Sequence, residues 1–263
     1  MLKIGFLGGG NMARAIVAGL VSSGADPKHV TVMDRHPEKL AALREQFGIT
    51  TQEKPGDWVT ALDVVVLAVK PQGLKECCEQ VASLVSPETT VLSIAAAVRA
   101  DVIADWLGTR RVVRCIPNTP AMVGKGFSGL FAAPQATKDD RYRAQCVMQT
   151  VGALEWVESE DDLHLVTAGP SSGPAYVFLF MEALADALMQ EGLSPEKAKE
   201  FALSTVEGAA ALARASGEAF DVLRHNVTAK AIEAFEAHDL RGTVKAAVQA
   251  CRTRSEEMSE LFA

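Results

Sequence analysis

Three small residues near the start of the chain have the spacing of a phosphate-binding turn. Gly8, Gly10 and Ala13 form the pattern G-x-G-x-x-A, after a strand-like run and at the start of a helix-like run. Gly8 would allow a tight turn, Gly10 would let the backbone approach a pyrophosphate, and Ala13 would keep helix and strand close. Because a helix N-terminus attracts negative charge, the sequence predicts a dinucleotide-binding turn. A glycine-rich turn without a ligand is the alternative.

A carboxylate follows at the end of the second predicted strand. In dinucleotide-binding folds an acidic residue about 20 positions on binds the ribose hydroxyls of adenosine. Asp34 has this place and would favour NAD, whereas Arg35 could pair with the 2′-phosphate of NADP or remain a solvated surface charge. The sequence therefore leaves NAD and NADP open.

Lys70 lies in the stretch AVKPQ, at the end of another predicted strand. Ligands bind at the carboxyl ends of strands in such sheets. Lys70 could approach the nicotinamide ribose or a cofactor phosphate, or it could simply be solvated.

Composition excludes several classes of protein. Of the 263 residues, 48% are hydrophobic and 22% charged, with a net charge of −7, which argues against nucleic-acid binding. The N-terminus has no signal-peptide pattern, and the most apolar run is too short to span a membrane. Five cysteines without metal spacing indicate no metal site and reduced thiols in a cytoplasmic protein.

Secondary-structure patterns divide the chain. Up to Glu158, short β-rich runs alternate with helical runs, which predicts an α/β fold with a Rossmann-type, doubly wound parallel sheet. From there to the C-terminus the pattern is helical throughout. We predict two domains, residues 1–159 and the all-α residues 160–263. The helix after Pro174 is apolar on nearly every side, which predicts that other helices bury it, including those of a second subunit.

Five segments together resemble the pyrroline-5-carboxylate reductase family. They are FLGGGNMARAI, LAVKPQ, RVVRCIPNTPAMVGKG, SSGPAYVFLFMEAL and AVQACRTRSEEM. They follow the family's order and cover nearly the whole chain. IPNTP and SGPAY are specific to the family, whereas many dehydrogenases share the glycine motif.

The resemblance implies a Rossmann domain, a helical domain that forms a homodimer, and assembly into larger rings. It also implies hydride transfer from NADPH or NADH to 1-pyrroline-5-carboxylate, giving L-proline. The implied cofactor contacts are Gly8, Gly10, Asn11 and Met12 at the pyrophosphate, Asp34 and Arg35 at the adenosine end, Ala68, Val69, Lys70, Pro71 and Ala96 at the nicotinamide half, and Asn226. The family's substrate turn follows that asparagine, which places Thr228 and Ala229 at the substrate.

Asn118 and Ser172 are the candidates for polar contacts with the substrate. A cyclic imine accepts hydride best when protonated, so the protein supplies mainly orientation and a hydrogen bond at nitrogen. Ser172 could instead cap the following helix, and Asn118 could hold a local turn. No acid–base pair stands out, so the catalytic proton donor stays open.

The chain departs from the family pattern at three places. The usual S-G-S-G-P-A-Y reads PSSGPAY, and Ala97 replaces a common glycine, which narrows backbone freedom near the nicotinamide. The Gly-Gly-Thr-Thr element that follows Asn226 in the family is absent after Lys230. Either the element is deleted and substrate binding is impaired or rerouted, or residues are missing from the sequence as read. We favour the second explanation because the flanking segments keep the pattern.

Two other functions compete with this hypothesis. One is a different Rossmann reductase, acting on imines or on β-hydroxyacids. The second class would need a catalytic lysine in the helical domain, where Lys197 and Lys199 lie in a predicted exposed helix start. The other is a non-catalytic dinucleotide-binding protein, which a true deletion of the substrate turn would favour.

Overall fold

The described residues, 2–227 and 230–262 of a computed structural model, contain one eight-stranded sheet. The strands are β1 Ile4–Leu7, β2 Val30–Met33, β3 Thr50–Gln52, β4 Val64–Leu67, β5 Thr90–Ser93, β6 Val112–Pro117, β7 Gly126–Ala132 and β8 Gly152–Trp156. Their order across the sheet is β3-β2-β1-β4-β5-β6-β7-β8, and all neighbours are parallel except β6 and β7. This order is that of a Rossmann fold extended by two strands.

Helices connect the strands and then form the whole C-terminal part. They are α1 Asn11–Ser22, α2 Pro37–Phe47, α3 Pro71–Val81, α4 Ala100–Leu107, α5 Lys138–Met148, α6 Asp162–Val166, α7 Gly173–Gln190, α8 Pro195–Ser216, α9 Phe220–His225, α10 Lys230–Ala237 and α11 Leu240–Glu260. A π-helical turn, Thr167–Ser171, links α6 to the start of α7. The prediction of a Rossmann-type sheet followed by an all-α part is confirmed.

Both faces of the sheet are covered by apolar side chains. In β4, Val64 and Val66 pack in one core, whereas Val65 and Leu67 pack in a second one. Alternate residues of a strand point to opposite faces, so a continuous apolar run is what a doubly covered strand needs. Because it has no apolar residue, the edge strand β3 was not predicted from the sequence.

Tertiary contacts divide the chain into two compact units. The sheet unit runs to Ser171 and includes the chain from Cys251 onward, and the helical unit is Ser172–Ala250. The change from mixed to helical structure falls between β8 and α6, close to the expected position. The division into domains 1–159 and 160–263 itself stays a prediction.

Helix α7 of the helical unit exposes apolar side chains. None of its residues, all of which are described, is buried, and Phe178 and Leu179 are 62% and 65% exposed. Within the described residues no other helix buries α7, and its burial by helices of a second subunit stays a prediction. Among the described helices, none is both long enough and apolar enough to cross a membrane.

The segment after His225 is not one uninterrupted helix. Helix α9 ends at His225, and α10 begins at Lys230. Thr228 and Ala229, two of the predicted substrate contacts, lie outside the described residues. The full sequence is continuous from Lys230 to Ala231, and both residues belong to α10. Our preferred explanation, that residues are missing from the sequence as read, is therefore wrong.

Candidate active site

Gly8 forms a turn between β1 and α1 that only glycine fits. Its φ angle is +109°, and a Cβ atom placed there would lie 2.6 Å from the carbonyl oxygen of Ala68. The Gly8 N–H donates to the carbonyl of Met33 at 2.7 Å. The turn thus joins the carboxyl ends of three neighbouring strands, β2, β1 and β4, at the edge where such sheets bind ligands.

Gly10 opens this turn toward the N-terminus of α1. A Cβ atom on Gly10 would meet no described atom within 4 Å, and no described side chain caps the helix that begins at Asn11. Asn11 is exposed and Met12 is half-buried. The first N–H groups of a helix have no partner inside the helix, so this end offers donors and positive potential to an anion. The space and the donors fit a pyrophosphate group.

The carboxylate of Asp34 is fixed by its neighbours. Its Oδ2 accepts from the Gly9 N–H at 2.8 Å, and its Oδ1 accepts from the His36 N–H at 3.0 Å. The His36 ring Nδ1 lies 2.6 Å from the same Oδ1. Sequence reasoning missed Gly9 and His36. The contact of Gly9 with Asp34 arises only when β1 and β2 lie side by side, whereas the contact of His36 is local, between residues two positions apart.

These contacts set the charge of Asp34. Burial raises the pKa of the Asp34 carboxyl, but the hydrogen bonds from Gly9 and His36 and the nearby Lys39 outweigh it and leave the pKa below its ordinary value. An ionised carboxylate has about four acceptor positions. The protein uses three of them, which leaves one for a ribose hydroxyl. Arg35, the next residue, is exposed.

The loop after β4 lies beside the glycine turn. The Ala68 N–H donates to the carbonyl of Leu7 at 2.9 Å, which places the Ala68 backbone against Gly8. Val69 and Pro71 are half-buried, and Lys70 is exposed at the start of α3. The structure thus brings four predicted cofactor residues, Ala68 to Pro71, next to the predicted pyrophosphate site.

The loop after β5 contributes Ala96 to the same edge of the sheet. The Ile94 N–H donates to the carbonyl of Leu67, so this loop starts beside the end of β4. Ala96 is exposed, and Ala97 has a φ angle of +71°. We expected alanine to narrow the backbone freedom here, and the φ angle shows how. Ala97 adopts a positive φ angle, which glycine adopts without strain but a residue with a side chain does not.

Asn118 is buried and holds together three parts of the sheet unit. Its Oδ1 accepts from the Phe127 N–H at 2.8 Å, and its Nδ2 donates to the carbonyl of Pro170 at 2.8 Å. Both ends of the amide therefore have protein partners, and the alternative of a structural role has direct support. Its contact with substrate stays a prediction.

The remaining predicted residues belong to the helical unit. Ser172 precedes α7, but its side chain makes no capping hydrogen bond there, so the capping alternative is not realised. Asn226 is exposed at the end of α9. The contacts of Ser172 and Asn226 with substrate and cofactor stay predictions.

The described residues contain no group of three or more His, Cys, Asp or Glu side chains that could hold a metal ion. The buried thiols of Cys77 and Cys115 have pKa values raised by burial, to about 11 and about 12. Thiols of this kind are protonated and inert at neutral pH. What the sheet edge can do chemically is bind and orient a dinucleotide.

Comparisons with known proteins agree with this assignment. Residues 3–97 match the family model for NADP oxidoreductase, coenzyme F420-dependent, and residues 160–258 match that for pyrroline-5-carboxylate reductase dimerisation. Pyrroline-5-carboxylate reductase of Vibrio alginolyticus is 38% identical to the chain over 268 aligned positions, covering 99% of this chain and 98% of the relative. This alignment is longer than the 263-residue chain, so the relative has residues without a counterpart here.

Solved structures extend the likeness. A pyrroline-5-carboxylate reductase from Coxiella burnetii has 40% identity and a TM-score of 0.93, with 98% of each chain covered. The Plasmodium falciparum pyrroline carboxylate reductase, solved with NADP bound, has 23% identity and a TM-score of 0.86 over 98% of each chain, and shows the shared fold. With more than a third of positions identical to a relative across nearly both chains, the protein belongs to the pyrroline-5-carboxylate reductase family.

Proposed function

We propose that the protein reduces 1-pyrroline-5-carboxylate to L-proline, with NADPH or NADH as the hydride donor. The observation that carries the proposal is the Gly8 turn, which opens onto the uncapped N-terminus of α1 in a chain related to these reductases along its whole length. The bound dinucleotide supplies the hydride that adds to the imine carbon. The imine nitrogen takes a proton, which completes the secondary amine of proline.

The residues of the sheet edge bind and orient the dinucleotide. The turn and the start of α1 hold the pyrophosphate, Asp34 and Arg35 contact the adenosine end, and the loops after β4 and β5 line the nicotinamide half. The residues assigned to these roles are Gly8, Gly10, Asn11, Met12, Ala68, Val69, Lys70, Pro71 and Ala96. Asn226 is an additional cofactor contact from the helical unit. Orientation of this kind is a large part of the rate enhancement expected for hydride transfer.

Substrate contacts come from Asn118, Ser172, Thr228 and Ala229. Asn118 has both amide ends engaged by the protein, so it acts mainly by holding Pro170 and the chain that leads to Ser172. We assign to Ser172 the hydrogen bond with the substrate.

The active form is a homo-oligomer, either a dimer or a ring of dimers. Helix α7 exposes Val177, Phe178, Leu179 and Phe180, a contiguous apolar surface that a monomer would leave in water. Surfaces of this kind mark interaction sites. The matching family model is a dimerisation model, and it spans all of α7. The cytoplasm is the proposed location, in keeping with cysteines that are all free among the described residues.

A second candidate function is dinucleotide binding without catalysis. It is favoured by the direct join of Lys230 to Ala231, where the family has its substrate-holding element. If the deletion disables substrate binding, the cofactor site would still bind a nicotinamide dinucleotide.

One assay separates the two functions. The purified protein is mixed with 1-pyrroline-5-carboxylate and either NADPH or NADH, and cofactor oxidation is followed while direct titration measures binding. We expect turnover. Binding of the dinucleotide without turnover would replace the reductase by the non-catalytic protein. A variant with Gly-Gly-Thr-Thr inserted after Lys230 then reports whether the deletion is the cause, because insertion should restore turnover.

The choice of cofactor is tested at Asp34. If its free acceptor position binds the ribose 2′-hydroxyl, Asp34→Ser should raise the ratio of NADPH to NADH use, because the repulsion of the 2′-phosphate is removed. Arg44→Ser, on the exposed side of α2, is the matched control and should leave the ratio as it is. An unchanged ratio in Asp34→Ser counts against the ribose contact.

A further inference from the structure

The loop between β5 and α4 contains a strained residue. Ala97 has a φ angle of +71°, and the Val98 N–H donates to the Ala96 carbonyl across it at 2.9 Å. A hydrogen bond of this span around a residue with positive φ is the pattern of the rare, strained form of the γ-turn. Strain of this kind persists only where the surrounding structure imposes it, and it occurs preferentially at functional sites.

Glu160 fixes the end of this loop. Its Oε1 accepts from the Ala100 N–H at 2.7 Å and from Arg114 Nη1 at 2.9 Å, and its Oε2 lies 3.2 Å from Arg99 Nη2. Glu160 and Arg114 are only 9% and 3% exposed. A buried carboxylate with three donors has little freedom to move, so the first residue of α4 is held in place.

Arg99 also connects the loop to Glu160, and we call these two side chains together the anchor. Besides Glu160 it contacts Asp161, at 2.9 Å from its Nη1, and its Nε lies 3.9 Å from Asp101. Arg99 is the residue directly before α4, two positions after Ala97. The ion pairs therefore act on the backbone next to the strained turn.

Burial fixes the residues around Ala96. Ala95, Ala97 and Val98 are buried, whereas Ala96 is exposed at the carboxyl edge of the sheet. With both flanks buried and the end tied to Glu160, the strained turn presents Ala96 in one position.

We infer that Arg99 and Glu160 are positioning residues that hold the Ala96–Val98 turn in its strained form and thereby set where Ala96 meets the nicotinamide half of the cofactor. The inference rests on the proposed function for the identity of the ligand. It adds residues that do not touch the cofactor themselves. Loss of the anchor lets Ala97 relax to an unstrained conformation, which displaces Ala96.

The test begins with Arg99→Ala. The variant is compared with Arg110→Ala, an exposed arginine just after the same helix that pairs with Asp105 at 3.0 Å. Direct titration with NADPH and NADH gives the dissociation constants. We expect the Kd of the preferred dinucleotide to rise about tenfold in Arg99→Ala, which is the size of effect expected from the strain of one residue, and to stay within about twofold of wild type in Arg110→Ala.

Rescue by glycine distinguishes positioning from a general loss of stability. Glycine adopts a positive φ without strain, so Ala97→Gly added to Arg99→Ala should bring the Kd back toward the wild-type value. Arg99→Lys, which keeps the charge, should lie between wild type and Arg99→Ala. A lowered melting temperature with unchanged Kd in Arg99→Ala, or a raised Kd that Ala97→Gly leaves as it is, would overturn the inference.

Hydrogen exchange in the protein without ligand reports whether Arg99 and Glu160 hold the turn in its strained form. The Val98 amide hydrogen should exchange more rapidly in Arg99→Ala than in Arg110→Ala, since its bond to Ala96 depends on the strained turn. If the wild type binds a dinucleotide but does not turn over substrate, the proposed function fails and these measurements still decide the inference. Turnover with an Arg99→Ala variant that equals its control would leave the function standing and reject the inference. A wild type that binds neither dinucleotide would reject both.

Discussion

The sheet unit buries most of its large apolar residues, whereas the helical unit leaves several of them exposed. In the sheet unit Phe6 and Leu67 are fully buried, in the cores on the two sides of the sheet. In the helical unit Phe178 and Leu179 are mostly exposed. The sheet unit thus contains the contacts that stabilise it, whereas the helical unit needs another surface to cover it. The comparison indicates that one chain supplies a sheet unit with its own core and a helical unit with apolar surface available for an interface.

Charged residues show the same contrast. Asp140 in the sheet unit is fully buried; burial raises the pKa of its carboxyl, but hydrogen bonds from Thr90 and Thr137 and the nearby Arg111 outweigh this and lower it. In the helical unit Glu236 pairs with Arg241 near the surface. Exposed pairs contribute little to stability because solvent screens them, whereas breaking a buried pair is costly. Buried charges therefore stabilise the sheet unit from within. The exposed ion pair of the helical unit does not replace the covering surface that this unit needs.

The largest effect is expected at the exposed face of α7. Phe178→Glu should weaken the homo-oligomer by about 100-fold or more, because a buried aromatic contact is replaced by a charge on both sides of a symmetric interface. Molar mass from light scattering across a dilution series measures this. Tyr142→Glu, at a residue 66% exposed on α5 of the sheet unit, is the matched control and should leave the mass unchanged. Equal molar masses for the two variants would contradict the difference that we expect between the two units.

Two glycines of the sheet unit test whether different residues control the stability of the protein and its binding of the dinucleotide. Gly8→Ala should cost about 2 kcal/mol or more of unfolding free energy, since it combines positive φ with the close Ala68 carbonyl. Gly10→Ala should leave stability near wild type, because its Cβ meets no described atom, yet weaken dinucleotide binding by about tenfold or more. Urea unfolding and calorimetric titration measure the two quantities. Unweakened binding in Gly10→Ala would contradict the pyrophosphate assignment.

Local sequence patterns predicted the elements of the sheet unit well. They predicted less well the contacts between distant residues and the surface that covers α7. The strand, the glycine turn and the start of α1 follow from adjacent residues, so the sequence was sufficient for them. The bond between Gly9 and Asp34, and the anchor at Glu160, join segments far apart in the chain, and no short pattern encodes them. The bond of His36 to Asp34 is local, and an aspartate that accepts from the residue two positions on is a known turn pattern. In the homo-oligomer that we propose, a second chain covers α7, and a single sequence does not describe that contact. For Ala97, comparison with the family's usual glycine located the strain, but only the backbone angle showed it.

A smaller effect is expected at Asp34. Because its native pKa lies below the ordinary value, its contribution to stability is fully present above the unfolded pKa of about 4 and is lost as the pH falls through the lower native value. Asp34→Asn should therefore destabilise the protein by about 1–2 kcal/mol at neutral pH. The difference from wild type should shrink as the pH falls below about 4. Urea unfolding of both proteins across this range measures it, and a constant difference would contradict the assignment to the charge.

The smallest expected change is a gain in stability. Ala97→Gly removes the strain of a side chain at positive φ, about 1–2 kcal/mol, but it loses a buried methyl group and gives the unfolded chain more freedom. The net expectation is a stabilisation of about 0.5–1 kcal/mol, seen as a rise in the melting temperature. Ala96→Gly, one residue earlier at an exposed position with ordinary φ, should be neutral or destabilising instead. Stabilisation by both would mean that the gain does not come from the strain at Ala97, and the sheet unit would then store no strain in this loop.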